Sequence, residues 1–197
     1  MIDGLDFDAG GSLPAISLVF ALFALFATGL LSWSLLEYWV HGVLSHRFET
    51  FVTPLHWGHH REPRAVFTSP LAWIPVSVAI GVMLAAALGW ALGGAALLGL
   101  LTGFARYERT HWRIHFREPR NKREGLRRSH HLAHHFGHPD QYHGVTTRFW
   151  DRVFGTLPAN WPDHYADAAE HPPLEGASNW GILWRGGLMG RPSTPSD

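Results

Sequence analysis

An uncharged apolar run from residue 13 to residue 36 is the feature that most restricts how this chain can fold. As an α-helix, a run of this length crosses the hydrocarbon core of a bilayer, which is about 30 Å thick. A cleaved signal peptide is the alternative, but no basic residue precedes the run, and signal sequences have shorter apolar cores. The sequence therefore predicts an apolar membrane helix at about 13–38.

A second uncharged stretch lies between Arg64 and Arg106 and is too long for one untilted span. Glycines near its middle, at 89, 93 and 94, favour a tight turn between two helices, at about 70–88 and 91–107. Each helix is near the lower limit of length for crossing a bilayer, so a buried hairpin that only dips into the membrane is the alternative. The expected fold is all-α and integral to the membrane, with about three transmembrane or membrane-embedded helices, a single span followed by a hairpin.

The distribution of basic residues predicts the orientation. All sixteen Lys and Arg residues lie in 47–64 or after residue 105, and these regions fall on the same side of the membrane if 70–105 forms a hairpin. Because basic residues are enriched in cytoplasmic segments, this side is predicted to be cytoplasmic. The protein would then be multi-pass, with its N-terminus outside and all histidines and its C-terminus on the cytoplasmic side.

Fifteen histidines and no cysteine limit the chemistry that the chain can carry. The absence of cysteine excludes disulfides, thiolate metal sites and Cys nucleophiles. Neutral imidazole is the commonest metal ligand among side chains. A metal centre with nitrogen ligands, in a helical cap on the cytoplasmic side, is therefore the leading hypothesis.

Four groups of histidines occur directly beside the apolar helices, within 41–60 and 111–135. Residues three or four apart share one face of a helix, so two of the groups present three imidazoles on one face. Thr53 and Ser129 are expected to cap the helices that carry these triplets. Ten imidazoles are enough for a centre with two metal ions. The predicted ligands are His41, His46, His56, His59, His60, His111, His115, His131, His134 and His135.

Further residues near these groups are expected to support the ligands. Glu37 precedes His41 by four residues and Glu108 lies within one turn of His111, so each carboxylate is predicted to orient an imidazole N–H. His130 points away from the face of its triplet. His138 and His143 are undecided between a supporting role and a surface position. The candidates for supporting positions are Glu37, Glu108, His130, His138 and His143.

Ligand type alone does not identify the metal, because imidazole suits iron, copper, zinc and nickel. Storage tracts are compositional runs, whereas these histidines have helical spacings beside membrane helices. Structural zinc sites need only four ligands each, so ten ligands favour an open redox or hydrolytic centre. A non-catalytic membrane metal-binding protein is the alternative from another class, although residues 72–102 offer few polar side chains for a transport path.

The chain resembles the fatty acid hydroxylase and sterol desaturase superfamily of membrane di-iron enzymes. The resemblance rests on His41-x4-His46, His56-x2-His59-His60, His111-x3-His115 and His131-x2-His134-His135. Residues 144–156, which include Trp150, Asp151 and Gly155, are similar to the segment that follows the last histidine motif in that family. The fatty acid 2-hydroxylase-like branch is the most similar.

This resemblance implies an enzyme with two iron ions on the ten histidines and O2 as co-substrate. It would hydroxylate an alkyl C–H bond of a lipid in the bilayer, with a fatty acyl chain as the expected substrate. A desaturase, or a sterol or carotenoid oxidase, with the same metal core is the alternative. Zinc binds similar ligands more tightly than ferrous iron, so a purified sample can contain zinc.

The expected partners follow from what the chain lacks. It shows no flavin, nicotinamide or iron–sulfur motif, so two electrons must come from a separate donor, a ferredoxin or a b-type cytochrome with its reductase. No nucleic-acid partner is expected. Basic residues between 117 and 128 are explained by the topology alone, and docking of an acidic donor or of lipid phosphates is the alternative. A single domain, 1–197, is expected, with a tail from 158 to 197 of little periodicity.

Overall fold

The computed structural model describes residues 15–178, and the regular structure in this range is helical. The ends of the chain, including residues 13 and 14 of the first predicted helix and residues 179–197 of the predicted tail, lie outside the described residues. Helices in chain order are α1 (Ala15–Tyr38), a π-helix (Trp39–Leu44), α2 (Thr53–Arg61), α3 (Pro70–Leu88), α4 (Trp90–Phe116), α5 (Lys122–Phe136), α6 (Phe149–Val153) and α7 (Trp161–Ala169).

Two of these helical segments are long and apolar enough to cross a membrane: Ala15–Leu44 and Pro70–Leu88. In the most apolar stretch of the first segment only 6% of the residues are buried, and in that of the second segment none are. A core helix of a soluble protein would bury such residues, so this exposure favours contact with lipid. The third predicted span lies within α4, which does not meet the same criterion among the described residues, so the number of spans stays a prediction.

The predicted hairpin is present in the structure. Its first helix has the predicted bounds, and the turn consists of Gly89 alone, at a φ of +79° that L-residues rarely adopt. Its second helix, α4, extends past the predicted end at residue 107 to Phe116. Through this extension α4 carries His111 and His115 beyond the apolar stretch.

Contacts between Cα atoms divide the chain into two compact units. The first comprises Met1–Trp33 and Pro75–Gly103. Within it, α1 and α4 approach so closely that a Cβ added to Gly29 would lie 2.2 Å from the carbonyl oxygen of Ala96, and one added to Gly99 would lie 2.1 Å from that of Phe26. Small residues allow apolar helices to pack backbone to backbone without a hydrophobic core between them.

The second unit comprises Ser34–Ile74 and Phe104–Asp197 and contains every histidine of the chain. Its described core is small, and it is formed mainly where α5 packs against α7. The single domain expected from the sequence stays a prediction. Buried members of this core are Ile114, Leu132, Ala133, Tyr142, Val145, Tyr165 and Ala168.

Both predicted helix caps are wrong. The N-cap of α2 is Val52, and the hydroxyl of Thr53 instead donates to the carbonyl oxygen of Phe48 at 2.7 Å. Helix α5 begins seven residues before Ser129, at Lys122, because the Asn121 side chain accepts a hydrogen bond from the backbone N–H of Glu124 and caps the helix there. The faces predicted for the histidine triplets are unaffected, since both triplets still lie within helices.

Candidate metal centre

The structure brings the ten predicted ligand histidines together in two groups of five. In each group, one ring nitrogen of every histidine lies within 4.8 Å of the others. Cluster 1 contains His41, His46, His56, His60 and His134. Cluster 2 contains His59, His111, His115, His131 and His135.

Each histidine triplet contributes to both clusters. In α2, His56 and His60 belong to cluster 1, and His59 belongs to cluster 2. In α5, His134 belongs to cluster 1, and the other two histidines of its triplet belong to cluster 2. Because residues on one helix face are three or four apart, α2 and α5 each pass between the two clusters and hold them side by side.

The spacing of nitrogen atoms in cluster 1 fits a metal ion. The Nε2 atom of His46 lies 2.6 Å from that of His56 and 3.1 Å from that of His134, and the Nε2 of His60 lies 2.9 and 3.1 Å from the same two atoms. Two nitrogens at right angles around an ion with metal–nitrogen distances of about 2.1 Å are about 3.0 Å apart. Converging lone pairs at these distances repel unless a cation lies between them.

Hydrogen bonds on the far side of two rings direct their Nε2 atoms into cluster 1. The Nδ1 of His41 lies 2.5 Å from the carbonyl oxygen of His143, and the Nδ1 of His134 lies 2.8 Å from that of Gln141. A carbonyl oxygen only accepts, so each Nδ1 must carry the proton and donate it. Each Nε2 is then left with a lone pair for a metal, an arrangement that is typical of metal-binding histidines.

Cluster 2 contains buried nitrogen atoms that protein groups leave unsatisfied. The Nε2 atoms of His59, His111 and His135 are buried and have no hydrogen-bond partner among the described residues. The Nε2 of His115 lies 3.1 Å from that of His131. Unpaired buried polar atoms are costly and rare, so their concentration at one point fits a site that could hold a cation.

Burial keeps these imidazoles neutral. Loss of solvation, followed by the repulsion of neighbouring histidines, lowers the pKa of His56, His59 and His131 well below the ordinary value. Burial likewise lowers the pKa of His60 to about 4. At neutral pH the rings are therefore unprotonated at one nitrogen, as metal ligation requires. The residues present fit two ions held by nitrogen ligands, with no carboxylate in either cluster.

A π-helix carries His41, one of the histidines of cluster 1. The segment Trp39–Leu44 is wound more widely than an α-helix, with the N–H of Ser45 donating to the carbonyl oxygen of Val40, five residues earlier. The sequence spacing predicts a contact with Glu37, but the described hydrogen bond of His41 joins its Nδ1 to the carbonyl oxygen of His143.

Both predicted supporting carboxylates bind elsewhere. Glu37 accepts hydrogen bonds from the backbone N–H groups of Val145 and Thr146, at 3.0 and 2.6 Å, and from the Thr146 hydroxyl. Glu108 accepts from the hydroxyl and the N–H of Thr68. The described hydrogen bonds thus differ from the predicted contacts with ligand imidazoles. Glu37 instead fixes the segment that follows His143.

A buried aspartate that was not among the predicted site residues holds the backbone beside cluster 1. Asp151 is fully buried and accepts hydrogen bonds from the backbone N–H of His143 at 2.7 Å and from that of Gly144 at 3.0 Å. It also accepts from the Thr156 hydroxyl at 2.8 Å and pairs with Nε2 of His130 at 3.0 Å. It therefore holds the backbone whose carbonyl oxygen binds His41.

Burial would raise the pKa of Asp151, but the hydrogen bonds from His130 and Thr156 outweigh burial and lower it below the ordinary value. His130 in turn lies 2.5 Å, Nδ1 to hydroxyl oxygen, from Tyr165. As predicted, His130 is outside both clusters. The segment that includes Asp151 was identified by its similarity to a family, and that similarity was the only signal in the sequence for this residue.

The remaining histidines occupy different surroundings. His143 is buried, and its ring stacks on that of His46 with 5.9 Å between centroids. A Cβ at Gly42 would lie 2.2 Å from this ring, so only glycine fits there. His138 is partly exposed and stacks on His164 at 3.8 Å, away from both clusters.

The chain is similar to known proteins over the range that carries the ten clustered histidines. Residues 26–156 match the family model described as fatty acid hydroxylase, a range that includes all ten clustered histidines. A dihydroceramide fatty acyl 2-hydroxylase of Arabidopsis thaliana is 35% identical over 159 residues, which cover 76% of this chain and 64% of that protein. The fatty acid 2-hydroxylase of Homo sapiens is 34% identical over 155 residues, which cover 70% of this chain and 40% of that protein.

The chain is also similar in structure to a solved hydroxylase domain. The structure described as full-length Scs7p, in which only the hydroxylase domain is visible, superposes with a TM-score of 0.65 at 27% identity. The superposition covers 80% of this chain and 60% of that one. The chain thus spans less than two thirds of the length of each of these relatives.

Proposed function

Because the chain belongs to the fatty acid hydroxylase family, we propose that it is a membrane-bound di-iron oxygenase that hydroxylates a C–H bond of a fatty acyl chain. In the proposed reaction, R–H, O2, two electrons and two protons yield R–OH and water. The relatives described above are named 2-hydroxylases, which supports carbon 2 of the acyl chain as the position of attack. Ceramide-type lipids are included among the proposed substrates for the same reason.

The observation that carries this proposal is the division of ten histidines into two groups of five. Each group would hold one iron ion, and the pair of ions would supply the redox chemistry that activates dioxygen. The helices α2 and α5 keep the two groups adjacent, because each contributes ligands to both. With five histidines each, the groups would leave room at the ions for dioxygen, as an oxygenase requires.

Residues around the clusters have positioning roles in this proposal. The carbonyl oxygens of His143 and Gln141 fix which nitrogen of His41 and His134 carries the proton. Burial of the clusters excludes bulk water, which would otherwise compete with an apolar substrate. Two electrons would come from a separate ferredoxin, or from a b-type cytochrome with its reductase.

The function is tested by lipid mass spectrometry on cells that express the full chain together with an electron donor, under labelled dioxygen. We expect a fatty acyl lipid to gain one labelled oxygen atom at carbon 2, and the purified protein to contain two metal ions per chain. Loss of two hydrogens without label would instead identify a desaturase. An unchanged lipidome, with turnover of the donor demonstrated, would contradict an enzymatic function.

We also propose a multi-pass topology with three spans, in which the turn at Gly89 and the N-terminus lie outside and the histidine clusters lie on the cytoplasmic side. The chain has no cysteine, so each single-cysteine variant offers one thiol. A membrane-impermeant maleimide should label Ala91→Cys in intact cells, but Asp140→Cys only after permeabilisation; both positions are exposed. Labelling of both variants from the same side would show that the hairpin only dips into the membrane.

A further inference from the structure

A cavity of about 480 Å³ lies between α5, residues 144–148 and α6, in the unit that contains the histidines. Small-molecule sites commonly have volumes of roughly 300–1,000 Å³, so this cavity can hold a ligand of moderate size. None of the ten clustered histidines lines it. The cavity is therefore distinct from the two histidine clusters.

Positive charge dominates the lining. No Asp or Glu is among the lining residues, and none of the lining Lys and Arg residues forms a salt bridge in the described part of the chain. The nearby Arg113 and Arg120, in contrast, both pair with Glu124. His130 also lines the cavity and pairs with Asp151. The basic residues that line the cavity are Lys122, Arg123, Arg127, Arg148 and Arg152.

Two of these cations, Arg127 and Arg148, are half-buried and form no salt bridge among the described residues. Burial, followed by repulsion from the neighbouring Arg123, lowers the pKa of Arg127. The guanidinium of Arg148 lies over the ring of Trp161 at 5.1 Å, and its Nη1 is buried without a hydrogen-bond partner among the described residues. Cations that lack a salt-bridge partner would be stabilised by a bound anion with several acceptor oxygens.

An exposed apolar side chain lines the same cavity, and two more follow it in or next to α6. Phe149 lines it and is 54% exposed, and Val153 and Phe154, which follow in the chain, are 53% and 46% exposed. Cations beside exposed aromatic and aliphatic side chains are typical of surfaces that contact the headgroup region of a membrane. A free polar anion would contact only the basic side chains, whereas a lipid would contact the basic side chains with its headgroup and the apolar side chains with its acyl chains.

We propose that this cavity binds the phosphate-bearing headgroup of an anionic phospholipid. The guanidinium groups of Arg123, Arg148 and Arg152 contact the phosphate oxygens, and the exposed side chains of Phe149 and Val153 contact the upper part of the acyl chains. The site is separate from the metal clusters and does not depend on the proposed hydroxylation.

Native mass spectrometry of the full chain in detergent tests this site. The protein is titrated with equimolar phosphatidylglycerol and phosphatidylcholine, and bound lipids are counted. We expect one phosphatidylglycerol to bind with at least about a tenfold preference over the zwitterionic lipid. Arg123→Gln/Arg152→Gln should weaken its binding about 25-fold, since each basic side chain near an anionic headgroup is worth about a factor of five. Both side chains are exposed, so folding should be unaffected.

The matched control removes two charges from the same basic surface outside the cavity. Arg109→Gln/Arg117→Gln changes exposed residues that do not line the cavity and should alter binding less than about twofold. Arg123→Lys/Arg152→Lys keeps the charge and should restore most of the affinity. Equal weakening by the two Gln pairs would show a diffuse charge effect and overturn the proposal. Equal binding of both lipids, or displacement of phosphatidylglycerol by equimolar inorganic phosphate, would also overturn it.

Discussion

Replacing His131 by alanine is expected to reduce the yield of hydroxylated lipid by more than about 100-fold, because removing even a group that only orients a metal ligand costs about 10- to 100-fold. His131 is completely buried in cluster 2, with its Nε2 3.1 Å from that of His115. Alanine offers no ligand atom, so cluster 2 would keep four of its five histidines.

The measurement combines labelled dioxygen with metal analysis of the purified variant. We expect the variant to retain about one metal ion per chain, in cluster 1, where His134 and the other four ligands are unchanged. A retained ion would show that the loss of product is not caused by unfolding.

The matched control is His138→Ala. His138 lies three residues beyond the last ligand, belongs to neither cluster and stacks on the partly exposed His164. Its replacement should change product yield by less than about twofold, as expected for a residue outside the centre. Wild-type yield from His131→Ala would contradict the assignment of cluster 2 as part of the oxygenase centre.

The largest loss of stability is expected for Asp151→Ala, at about 3–5 kcal/mol, because one partner of a buried ionisable pair is removed. Its removal also leaves the N–H groups of His143 and Gly144 without an acceptor. For a chain of this size, the loss corresponds to a decrease in Tm of roughly 10 °C or more. Affinity for metal in cluster 1 should fall as well, since the carbonyl oxygen that orients His41 is no longer held.

Thermal unfolding in detergent, with metal analysis of the folded protein, measures both effects. Asp163→Ala is the control, because Asp163 is exposed on α7 and its replacement should change stability by less than about 0.5 kcal/mol. The pKa of Asp151 is lowered in the folded state, so its stabilising contribution is complete above the ordinary value of 3.8 and is lost as the pH falls toward the lower folded value. Equal Tm values for wild type and Asp151→Ala at pH 7 would disprove this role.

The sequence by itself determined the helical class, the family and the ten histidines that come together. Helix bounds at 70–88 were readable because composition and the turn glycine are local signals. The faces of the triplets in α2 and α5 were readable because helical periodicity fixes which residues are neighbours. Wrong cap assignments at Thr53 and Ser129 left these faces intact, since a helix keeps its periodicity wherever it begins.

Only the tertiary structure decided which histidines share a cluster. In α2, His56 and His60 belong to one cluster and His59 to the other. This division depends on which residues pack against each side of the helix, and the spacing of the three histidines does not predict it. His41 binds the carbonyl oxygen of His143, Glu37 binds the N–H of Val145, and Asp151 reaches the backbone of His143 through the fold of residues 143–156. Periodicity is a property of neighbours in the chain, whereas ligand sharing and support depend on contacts across about a hundred residues, which only packing creates.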